Sequence, residues 1–393
     1  MAMKTLKDLE LAGKRVLVRV DFNVPMNDQG EITDDLRIRT ALPTLRYLVE
    51  AGARVIICTH RGRPKGQRVE AFSLAPVAAL TAALIGRPVP LAPDCIGPKV
   101  EAAVAALKDG DCLMLENLRF HPEEEKNDAA FSRQLGALAD VYVNDAFAVS
   151  HRAHASVVGV TAHVREKAAG FLLQKEMEYF QRAIGTPQRP LIAIVGGAKV
   201  SGKLQALQNM LGRVDRMIIG GAMANTFLKS QGYDVGASKV EDDLLDTARD
   251  LLVQARAKGV KVYLPVDVIA ADRFAPDAVI KQVTIQDIPE NWMALDIGPA
   301  SVVLFNEALA DARTIVWNGP MGAFEMDAYA RGTMALAHTV ASSHALSVTG
   351  GGDSNAAVKQ SGEAENISYM STGGGAFLML MEGKELPGIK ALA

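Results

Sequence analysis

Short runs rich in Val and Ile alternate with helical patterns along almost the whole chain, and no other feature limits the possible folds as strongly. In the first half, the sequence predicts buried strands at residues 16–20, 55–58, 113–115 and 141–143, with helices at 38–50, 73–85, 99–108 and 128–138. The rhythm resumes with strands at 191–195, 217–219, 262–265, 315–317 and 346–349, and with helices at 204–211 and 243–257. Such alternation is typical of parallel sheets that helices cover on both faces, so we predict an α/β fold.

The length of 393 residues favours two domains over one. Two sheets of five or six strands fit this length better than one very wide sheet. A long amphipathic helix is predicted over residues 165–184, and the turn-forming stretch GTPQRP follows it at 185–190. We therefore expect a first domain at residues 1–170, an interdomain helix at 171–185 and a second domain at 186–382.

Composition and charge exclude several classes of protein. Apolar residues make up 49% of the chain, which is enough for a large core, and 42 basic against 45 acidic side chains leave a net charge of −3. A general nucleic-acid binder would carry a basic excess, so we expect no nucleic-acid partner. The longest uncharged run, residues 71–86, contains a proline and is too short to cross a bilayer, so we expect no membrane partner. The N-terminal stretch lacks the apolar region of a signal peptide, and the three cysteines lack metal-ligand spacing, which together predict reduced thiols and a cytoplasmic location.

Charged and polar side chains follow the predicted strands of the first half, and open α/β sheets bind their ligands at that edge. Arginine forks bind phosphate and carboxylate groups with two parallel hydrogen bonds, so four arginines at one edge predict a site for a small, multiply anionic molecule. Any one of them alone would more simply be a solvated surface charge. The candidate residues are Asp21, Asn23, Arg37, His60, Arg63, Arg119 and Arg152.

Glycines follow the predicted strands of the second half, at residues 196–197, 220–221, 319 and 350–352. The stretch GGAKVSGK at 196–203 follows a strand and opens a helix, where backbone N–H groups and the helix dipole favour phosphate. It resembles a P-loop, but Leu204 stands where a P-loop needs a hydroxyl for magnesium. The sequence therefore predicts an anion-binding turn, with a purely structural turn as the alternative.

Two further glycine turns and one acidic loop are candidate ligand sites. In GGGDS at 350–354, Asp353 could bind magnesium or could cap the following helix. The turn STGGG at 371–375 could hold an anion through its backbone N–H groups or simply open the last long helix. Glu325 could accept hydrogen bonds from a ribose or be an ordinary exposed acid. His151 and His154 have H-x-x-H spacing without a third ligand nearby, so we predict no metal site there.

Eight segments taken together resemble the phosphoglycerate kinase family. They stand in the family's order over essentially the whole chain: RVDFNVP at 19–25, HRGRP at 60–64, ENLRFH at 116–121, NDAF at 144–147, GGAKV at 196–200, WNGPMG at 317–322, GGGD at 350–353 and STGGG at 371–375. The resemblance implies two doubly wound, Rossmann-like parallel-sheet domains that face each other across a hinged cleft. It also implies that the C-terminal segment, residues 383–393, packs back on the first domain.

The family's reaction is the reversible, Mg²⁺-dependent transfer of a phosphoryl group between 1,3-bisphosphoglycerate and ADP, which gives 3-phosphoglycerate and ATP. The residues that match the family's acid site are Asp21, Asn23, Arg37, His60, Arg63, Arg119 and Arg152. Those that match its nucleotide site are Gly197, Ala198, Lys203, Gly220, Gly221, Asn318, Pro320, Glu325, Gly351, Gly352, Asp353 and Ser354, with Asp353 on magnesium. Those that match its catalytic positions are Arg37, Lys199, Lys203, Gly373 and Gly374.

The resemblance further implies a cytoplasmic enzyme that works as a monomer and closes about a hinge. Four features depart from the family's usual pattern: Arg61 stands where Leu is frequent, AVS at 148–150 where GTA is common, Ser354 where Thr is frequent, and Gly202 where many relatives carry a bulkier residue. The alternative function is a non-catalytic regulator on the same fold that binds a phosphosugar or a nucleotide. Such a protein would be expected to have lost a charge-stabilising residue, yet all of these are present: Arg37, Lys199, Lys203 and Asp353.

Overall fold

The structure, a computed structural model, describes residues 3–393. Residues 1 and 2, which begin both the N-terminal stretch and the predicted first domain, lie outside the described part. The chain divides into two compact units: the first reaches to Met177 and includes Glu385–Ala393, and the second is Glu178–Lys384. Each unit contains a fully parallel sheet, so the predicted α/β class is confirmed. Among the described residues, no helix has the length and apolar character needed to cross a membrane.

The first unit is built around a five-stranded parallel sheet. Its strands are β1 (Arg15–Val20), β2 (Arg54–Cys58), β3 (Cys112–Met114), β4 (Val141–Asp145) and β5 (Glu166–Ala169), in the order β3-β2-β1-β4-β5. Its helices are α1 (Leu36–Glu50), α2 (Ala75–Ile85), α3 (Pro98–Ala105), α4 (Pro122–Glu125) and α5 (Ala129–Ala137). The strands and helices predicted from the sequence are present here, and their ends differ by no more than three residues, with one exception.

The core of this unit lies between the sheet and its helices. Val16 and Val18 of β1 and Val55 and Ile57 of β2 are fully buried in one apolar cluster with residues of α1. Because both faces of a doubly wound sheet are covered, these strands are continuous apolar runs. Helix α5 begins where it does because the Asp128 side chain accepts hydrogen bonds (2.9 Å) from two backbone N–H groups of its first turn.

The exception is the helix predicted over residues 165–184, whose first part is wrong. Residues Glu166–Ala169 form the edge strand β5, which pairs with β4, and the helix α6 runs only over Phe171–Phe180 before a π-helical turn at Gln181–Gly185. The Asp145 carboxylate at the end of β4 accepts hydrogen bonds from two N–H groups of the first turn of α6 (2.9 and 3.2 Å). Pairing with the sheet and this cap together override the helical propensity of the preceding residues.

The second unit contains a six-stranded parallel sheet. Its strands are β6 (Leu191–Val195), β7 (Arg216–Ile219), β8 (Lys261–Tyr263), β12 (Thr314–Asn318), β13 (Leu346–Thr349) and β14 (Tyr369–Met370), in the order β14-β13-β12-β6-β7-β8. The helices are α7 (Leu204–Met210), α8 (Met223–Ser230), α9 (Leu245–Ala257), α10 (Pro299–Leu309), α11 (Arg331–Ser342), α12 (Gly352–Gln360) and α13 (Gly374–Met381). Trp317 of β12 is fully buried in the core between this sheet and its helices.

A separate three-stranded antiparallel sheet in the second unit has no counterpart in the sequence prediction. It consists of β9 (Asp267–Ala271), β10 (Ile280–Thr284) and β11 (Met293–Ile297), with β9 in the centre. Strand β10 is almost entirely exposed, so its sequence lacks the apolar run that marks the buried strands. A short, polar edge strand leaves little signal in the sequence.

The last segment of the chain belongs to the first unit. It contains the helix α14 (Pro387–Lys390), and the N–H of Gly388 donates a hydrogen bond to the carbonyl of Ser150 (2.9 Å). The ammonium of Lys167, on β5, donates to the carbonyl of Ala391 (2.7 Å). The carboxyl-terminal residues therefore complete the first unit at the edges of β4 and β5.

Candidate active site

The acid-site residues predicted in the first unit all lie at the carboxyl ends of its strands or at the start of α1. They are Asp21 and Asn23 after β1, His60 and Arg63 after β2, Arg119 after β3 and Arg152 after β4, with Arg37 in the first turn of α1. Strands β1 and β4 are neighbours at the point where the strand order reverses. Open α/β sheets bind their ligands at this switch point, because the loops on its two sides diverge and leave a crevice.

The Asp21 carboxylate lies between the side chains of Arg37 and His60 at this edge. Its carboxylate is 8% exposed, forms an ion pair with Arg37, and lies 3.8 Å from Nδ1 of His60. The ion pair holds the Arg37 guanidinium at the sheet edge, although Arg37 itself is only half-buried. The structure therefore brings together one acid, one arginine and one histidine from three different segments.

Asn23 and Arg119 meet at the backbone of Gly62. The Asn23 side-chain oxygen accepts a hydrogen bond from the Gly62 N–H (2.9 Å), and the Gly62 carbonyl accepts one from Nη1 of Arg119 (2.8 Å). The other two arginines lie on the same edge but are not joined to this set. Arg63 is exposed and forms no hydrogen bond or ion pair within residues 3–393, and Arg152 contacts the ring of the preceding histidine.

A buried ionic network lies beneath these residues, and the sequence reasoning missed it. Arg19, inside β1, is 1% exposed; its Nε donates to Oγ of Ser156 (2.8 Å), and its Nη2 lies 3.2 Å from Nδ1 of His60. Ser156 donates from Oγ (2.5 Å) and from its N–H (2.9 Å) to the carboxylate of Glu124, which is fully buried. The signal that could have revealed this network is an arginine within an apolar strand, because a buried charge needs partners.

Burial, followed by the charge of neighbouring arginines, keeps His60 and His154 neutral. The pKa of His60 lies well below its usual value, first because the ring is buried and then because Arg19, Arg119 and Arg37 surround it. Burial, followed by neighbouring arginines, lowers the pKa of His154 to about 4. A guanidinium can only donate, so Nδ1 of His60 accepts from Arg19 and Nε2 carries the proton. The positive charge of this edge at pH 7 therefore comes from arginines alone.

In the second unit, the candidate nucleotide residues lie on glycine turns that touch one another at the ends of β6, β7 and β12. The N–H of Gly197 donates to the carbonyl of Pro320, and the N–H of Gly221 donates to the carbonyl of Met321 (both 3.0 Å). A Cβ on Gly221 would lie 2.5 Å from the backbone nitrogen of Gly197, and its φ of +66° already favours glycine. Gly220 is packed as closely against the Met321 side chain. Close backbone approach therefore shapes this edge.

The Lys203 side chain forms hydrogen bonds to the turns that follow β6 and β12. Its Nζ donates hydrogen bonds to the carbonyls of Gly196 (2.6 Å) and Asn318 (2.8 Å). Burial lowers the pKa of the Lys203 amine to about 8, and the negative charge of Asp353 opposes that shift. An ammonium group has three donors, so one N–H remains available for an anion.

Asn318 and Ser354 connect β12 to the start of α12. Nδ2 of Asn318 donates to the carbonyl of Gly350 (2.6 Å), and Oγ of Ser354 accepts from the N–H of Gly319 (2.6 Å). Both side chains are buried, and these contacts use Nδ2 of Asn318 and Oγ of Ser354 within the protein. These contacts fix the direction in which the GGGDS turn leaves the sheet.

The turn before α13 approaches the same place. A Cβ on Gly374 would lie 3.0 Å from Cα of Gly351, so two glycine turns are in close contact. The N–H of Gly373 lies 3.3 Å from Oγ of Ser371, which is buried. Backbone N–H groups at the start of α13 therefore lie beside those at the start of α12, and both helix N-termini favour negative charge.

The remaining candidate residues of the second unit are exposed. They are Ala198, Lys199, Glu325, Gly352 and Asp353. Asp353 makes no capping hydrogen bond with α12, and neither it nor Glu325 forms a hydrogen bond or ion pair within the described chain. The capping alternative for Asp353 is therefore wrong, whereas Glu325 has the surroundings of an ordinary exposed acid.

The two edges offer different chemistry to a ligand. The first presents guanidinium groups, a neutral histidine that can donate from Nε2, and one carboxylate. The second presents backbone N–H groups, two lysines and an unpaired carboxylate. Neither edge pairs a nucleophilic side chain with a base, but positioning and neutralising charge are the main needs of phosphoryl transfer.

Comparison with known proteins gives consistent results. A sequence model of the family described as phosphoglycerate kinase matches residues 6–384. The phosphoglycerate kinase of Desulfotalea psychrophila is 70% identical over 390 residues, which cover 99% of this chain and 100% of the relative. That of Geobacter metallireducens is 56% identical over 393 residues, which cover 100% and 99%.

Solved structures agree with the sequence comparisons. Phosphoglycerate kinase from Coxiella burnetii superposes with a TM-score of 0.92 at 44% identity and covers 100% of this chain and 99% of its own. Phosphoglycerate kinase from Pyrococcus horikoshii superposes with a TM-score of 0.86 at 35% identity and covers 99% and 98%. The similarity therefore extends over both units of the chain.

Proposed function

This chain belongs to the phosphoglycerate kinase family, and from that premise we propose that it transfers a phosphoryl group reversibly between the carboxyl group of 3-phosphoglycerate and ADP. The products are 3-phosphoglycerate and ATP in one direction, and 1,3-bisphosphoglycerate and ADP in the other. The observation that carries the proposal is the contrast between the arginines at one sheet edge and the glycine turns at the other. A regulator without catalytic activity finds no support in the comparisons.

The acid substrate suits the first edge. 3-Phosphoglycerate carries a phosphate and a carboxylate, and the side chains proposed to hold them are Asp21, Asn23, Arg37, His60, Arg63, Arg119 and Arg152. Guanidinium forks can bind both anionic groups, and the neutral ring of His60 can donate one further hydrogen bond. The Asp21 carboxylate can accept from the substrate's hydroxyl.

The nucleotide suits the second edge. We propose that the backbone N–H groups at the N-termini of α12 and α13 bind its phosphates. The N–H groups of Gly197 and Gly221 are used within the protein, so these two glycines would contribute by letting the phosphates approach the backbone closely. The exposed Glu325 is proposed to accept from a ribose hydroxyl. The full proposed set is Gly197, Ala198, Lys203, Gly220, Gly221, Asn318, Pro320, Glu325, Gly351, Gly352, Asp353 and Ser354.

The chemistry requires little of the protein beyond charge and position. When ATP is consumed, the nucleophile is a carboxylate, which is already ionised at pH 7, so no general base is needed. The transferred phosphoryl group carries negative charge on its equatorial oxygens, and preorganised donors stabilise that charge. We propose that these donors are Arg37, Lys199, Lys203 and the N–H groups of Gly373 and Gly374.

Asp353 is the residue best suited to hold magnesium. Its carboxylate is exposed, unpaired, and at the first turn of α12 next to the glycine turn, and Mg²⁺ commonly takes one carboxylate together with phosphate oxygens. When bound, the ion would neutralise phosphate charge. We expect Asp353→Ala to weaken binding of Mg-ADP at least about tenfold and to leave 3-phosphoglycerate binding unchanged, as measured by calorimetry. Equal losses for both ligands would assign the damage to folding instead.

Transfer also requires the two bound substrates to meet. Because the acid residues belong to the first unit and the nucleotide residues to the second, we propose a hinge movement. It involves the part of the predicted 165–184 helix that is helical, namely α6 and the π-helical turn after it, together with the turn at 371–375. Exclusion of water during transfer would prevent hydrolysis of ATP or the acyl phosphate. Small-angle scattering should show compaction only when both substrates are present, and an unchanged radius of gyration would argue against closure.

We also propose a monomer in the cytoplasm. All three cysteines are free and buried, which suits a reducing compartment. Light scattering coupled to size-exclusion chromatography should give the mass of one chain, and a dimer mass would reject the monomer.

A coupled assay tests the activity itself. The protein is supplied with 3-phosphoglycerate and Mg-ATP, and glyceraldehyde-3-phosphate dehydrogenase consumes the acyl phosphate while the loss of NADH is followed. Controls omit the acid, the nucleotide or magnesium in turn. We expect NADH loss that needs all three. No NADH loss from folded protein would reject the proposed function.

A further inference from the structure

Away from the strand-end residues described above, the first unit contains a group of side chains with the composition of a metal site. Asp94, Cys95 and His121 place their ligand atoms within 4.8 Å of one another, and it is the one such group of three found among residues 3–393. None of the three belongs to the candidate acid site. The cysteine spacing did not predict this group, because its histidine comes from a different segment of the chain.

Two segments anchored to β3 bring these ligands together. Before Asp94, the chain runs beside β3, where the N–H of Ala92 donates to the carbonyl of Met114 (2.8 Å). The carbonyl of Asp94 then accepts a weaker hydrogen bond from the N–H of Glu116 (3.3 Å). His121 ends the short helix that follows β3. The positions of both segments are thus set by the same strand, which fixes the ligands before any ion binds.

The side chains themselves form an open site with a buried floor. Nε2 of His121 lies 2.7 Å from Oδ1 of Asp94, and the same oxygen accepts from the N–H of Cys95 (2.7 Å). The side chains of His121 and Asp94 are 25% and 41% exposed, whereas Cys95 is fully buried. The ring of His121 packs against that of Phe131, with centroids 5.3 Å apart. An ion could therefore reach the carboxylate and the imidazole from solvent and contact the thiol beneath them.

We propose that Asp94, Cys95 and His121 bind a thiophilic divalent cation such as Zn²⁺, with water as the fourth ligand. Thiolate, imidazole and carboxylate are the ligands that Zn²⁺ takes in proteins, whereas Mg²⁺ prefers oxygen alone. On binding, the sulfur–metal bond replaces the S–H bond, and the thiol proton passes to solvent. The ion also replaces the hydrogen bond between His121 and Asp94. One thiolate and one carboxylate then balance the two positive charges.

Cobalt titration of the whole chain, freed of metal by a chelator, tests the site directly. Co²⁺ takes the same ligands as Zn²⁺ and gives an intense near-ultraviolet charge-transfer band when a thiolate binds it. We expect this band in the unaltered protein, and we expect Zn²⁺ to abolish it and millimolar Mg²⁺ to leave it intact. Absence of the band, or its loss on adding Mg²⁺, would overturn the proposal.

Variants identify the ligands. Cys95→Ser should remove the band, and His121→Gln should weaken cobalt binding more than about tenfold, since loss of even an outer partner of a metal site costs 10–100-fold. Cys112→Ser is the matched control, because Cys112 is also a buried free thiol of the first unit, and it should change neither. A band that survives in Cys95→Ser, or disappears in Cys112→Ser, would contradict the assignment. If circular dichroism shows that Cys95→Ser does not fold, Asp94→Asn and His121→Gln decide, and unchanged cobalt affinity in both would reject the site.

Discussion

The two units share a sheet topology but use it in different ways. In each, the strand order reverses between the first strand and the fourth parallel strand, which are β1 and β4 in one unit and β6 and β12 in the other. The first unit follows its strands with charged side chains, and the second follows them with glycines. The sheet therefore sets where a ligand can bind, and the residues after each strand set how it is held.

A site of charged side chains and a site of backbone N–H groups need different surroundings in the protein. A site made of cationic side chains needs a buried opposite charge, and Glu124 supplies one, which Ser156 links to Arg19. A site made of backbone N–H groups needs chains that approach closely, as Gly221 does with Gly197. Removal of a charge should therefore damage the first unit most, and addition of a methyl group should damage the second.

The largest effect is expected when a charge is removed from the first edge. Arg37→Ala should lower kcat on the order of 10²–10³-fold, because Arg37 is proposed as a preorganised donor to the transferred group and loss of such a donor has an effect of this size. Arg39→Ala is the matched control on the same helix, since Arg39 is exposed and forms an ion pair with Asp35. Steady-state kinetics and thermal unfolding should show a large fall in rate with little change in stability for Arg37→Ala. An unchanged kcat would remove Arg37 from the catalytic set.

The corresponding test of the second edge adds a Cβ atom to a closely packed glycine. Gly221→Ala would place Cβ 2.5 Å from the backbone of Gly197, whereas Gly259→Ala has a similar φ (+73° against +66°) and nothing within 4 Å. Both variants suffer the strain of a left-handed conformation, about 1–2 kcal/mol. The overpacked site should lose about 1–3 kcal/mol more. Equal losses of unfolding free energy would show that close approach does not matter at this turn.

To compare Gly221→Ala with Gly259→Ala, denaturant unfolding of the second unit can be followed by itself. The chain has two tryptophans, Trp292 and Trp317, and both lie in the second unit. Tryptophan fluorescence therefore reports on that unit, and the affinity for Mg-ADP can be measured on the same variants. Gly221→Ala should weaken nucleotide binding, and Gly259→Ala should not.

The dependence of stability on pH should also differ between buried groups of the two units. Burial raises the pKa of Asp296, in the second unit, to about 7, although its carboxylate accepts hydrogen bonds from the N–H groups of Gly332 (2.7 Å) and Ile297 (2.9 Å). The folded protein then holds a proton that the unfolded chain releases above about pH 4, so this group's contribution to stability falls as pH rises from about 4 to 7. His154, in the first unit, has the opposite sign, because its lowered pKa makes stability fall as pH drops from about 6.5 to 4.

Asp296→Asn should remove the fall in stability between about pH 4 and 7 that Asp296 causes. The raised pKa of Asp296 should change the free energy of unfolding by about 3 kcal/mol between pH 4 and pH 7. We expect urea unfolding, followed by tryptophan fluorescence between pH 4 and 8, to be less dependent on pH in this variant than in the unaltered protein. Asp250→Asn, which changes an exposed acid of the same unit, is the control. Parallel pH curves for Asp296→Asn and the unaltered protein would contradict the prediction.

The sequence predicts the two parallel sheets because buried strands leave a strong apolar signal. It does not predict the antiparallel sheet: β10 is exposed and its residues 280–284 carry no apolar run, and no strand is predicted for the short buried run of β9 either. It also assigns Glu166–Ala169 to a helix, because the pairing with β4 that makes them a strand is a tertiary contact. Residue patterns thus report burial, and they fail where neighbours in space decide the conformation.

In the candidate site, too, some features can be predicted from residue patterns and others depend on tertiary contacts. Strand ends predict which segments contribute, because parallel strands end at one edge of a sheet. The role of Arg19 cannot be predicted in this way, since Ser156, in a loop, and Glu124, in α4, both come from positions far along the chain. Nor can the sequence predict that Lys203 donates to two carbonyls at the strand ends. Only the fold determines which polar atoms are already used within the protein and which remain for a ligand.

The smallest expected effect distinguishes a structural arginine from an arginine of the proposed acid site on the same loop. Nη1 of Arg61 donates to the carbonyls of Ala71 (2.6 Å) and Ser73 (3.2 Å), so this side chain holds the loop in place. Arg63 has no such partner in the described part of the chain. Arg61→Leu should therefore lower the unfolding free energy by about 1 kcal/mol, the usual net value of a hydrogen bond, and leave kcat and KM within about twofold. Arg63→Leu should do the reverse, raising KM for 3-phosphoglycerate at constant stability. If Arg61→Leu raises that KM as much as Arg63→Leu does, then Arg61 also contacts the acid, and the first edge is wider than the strand-end residues alone indicate.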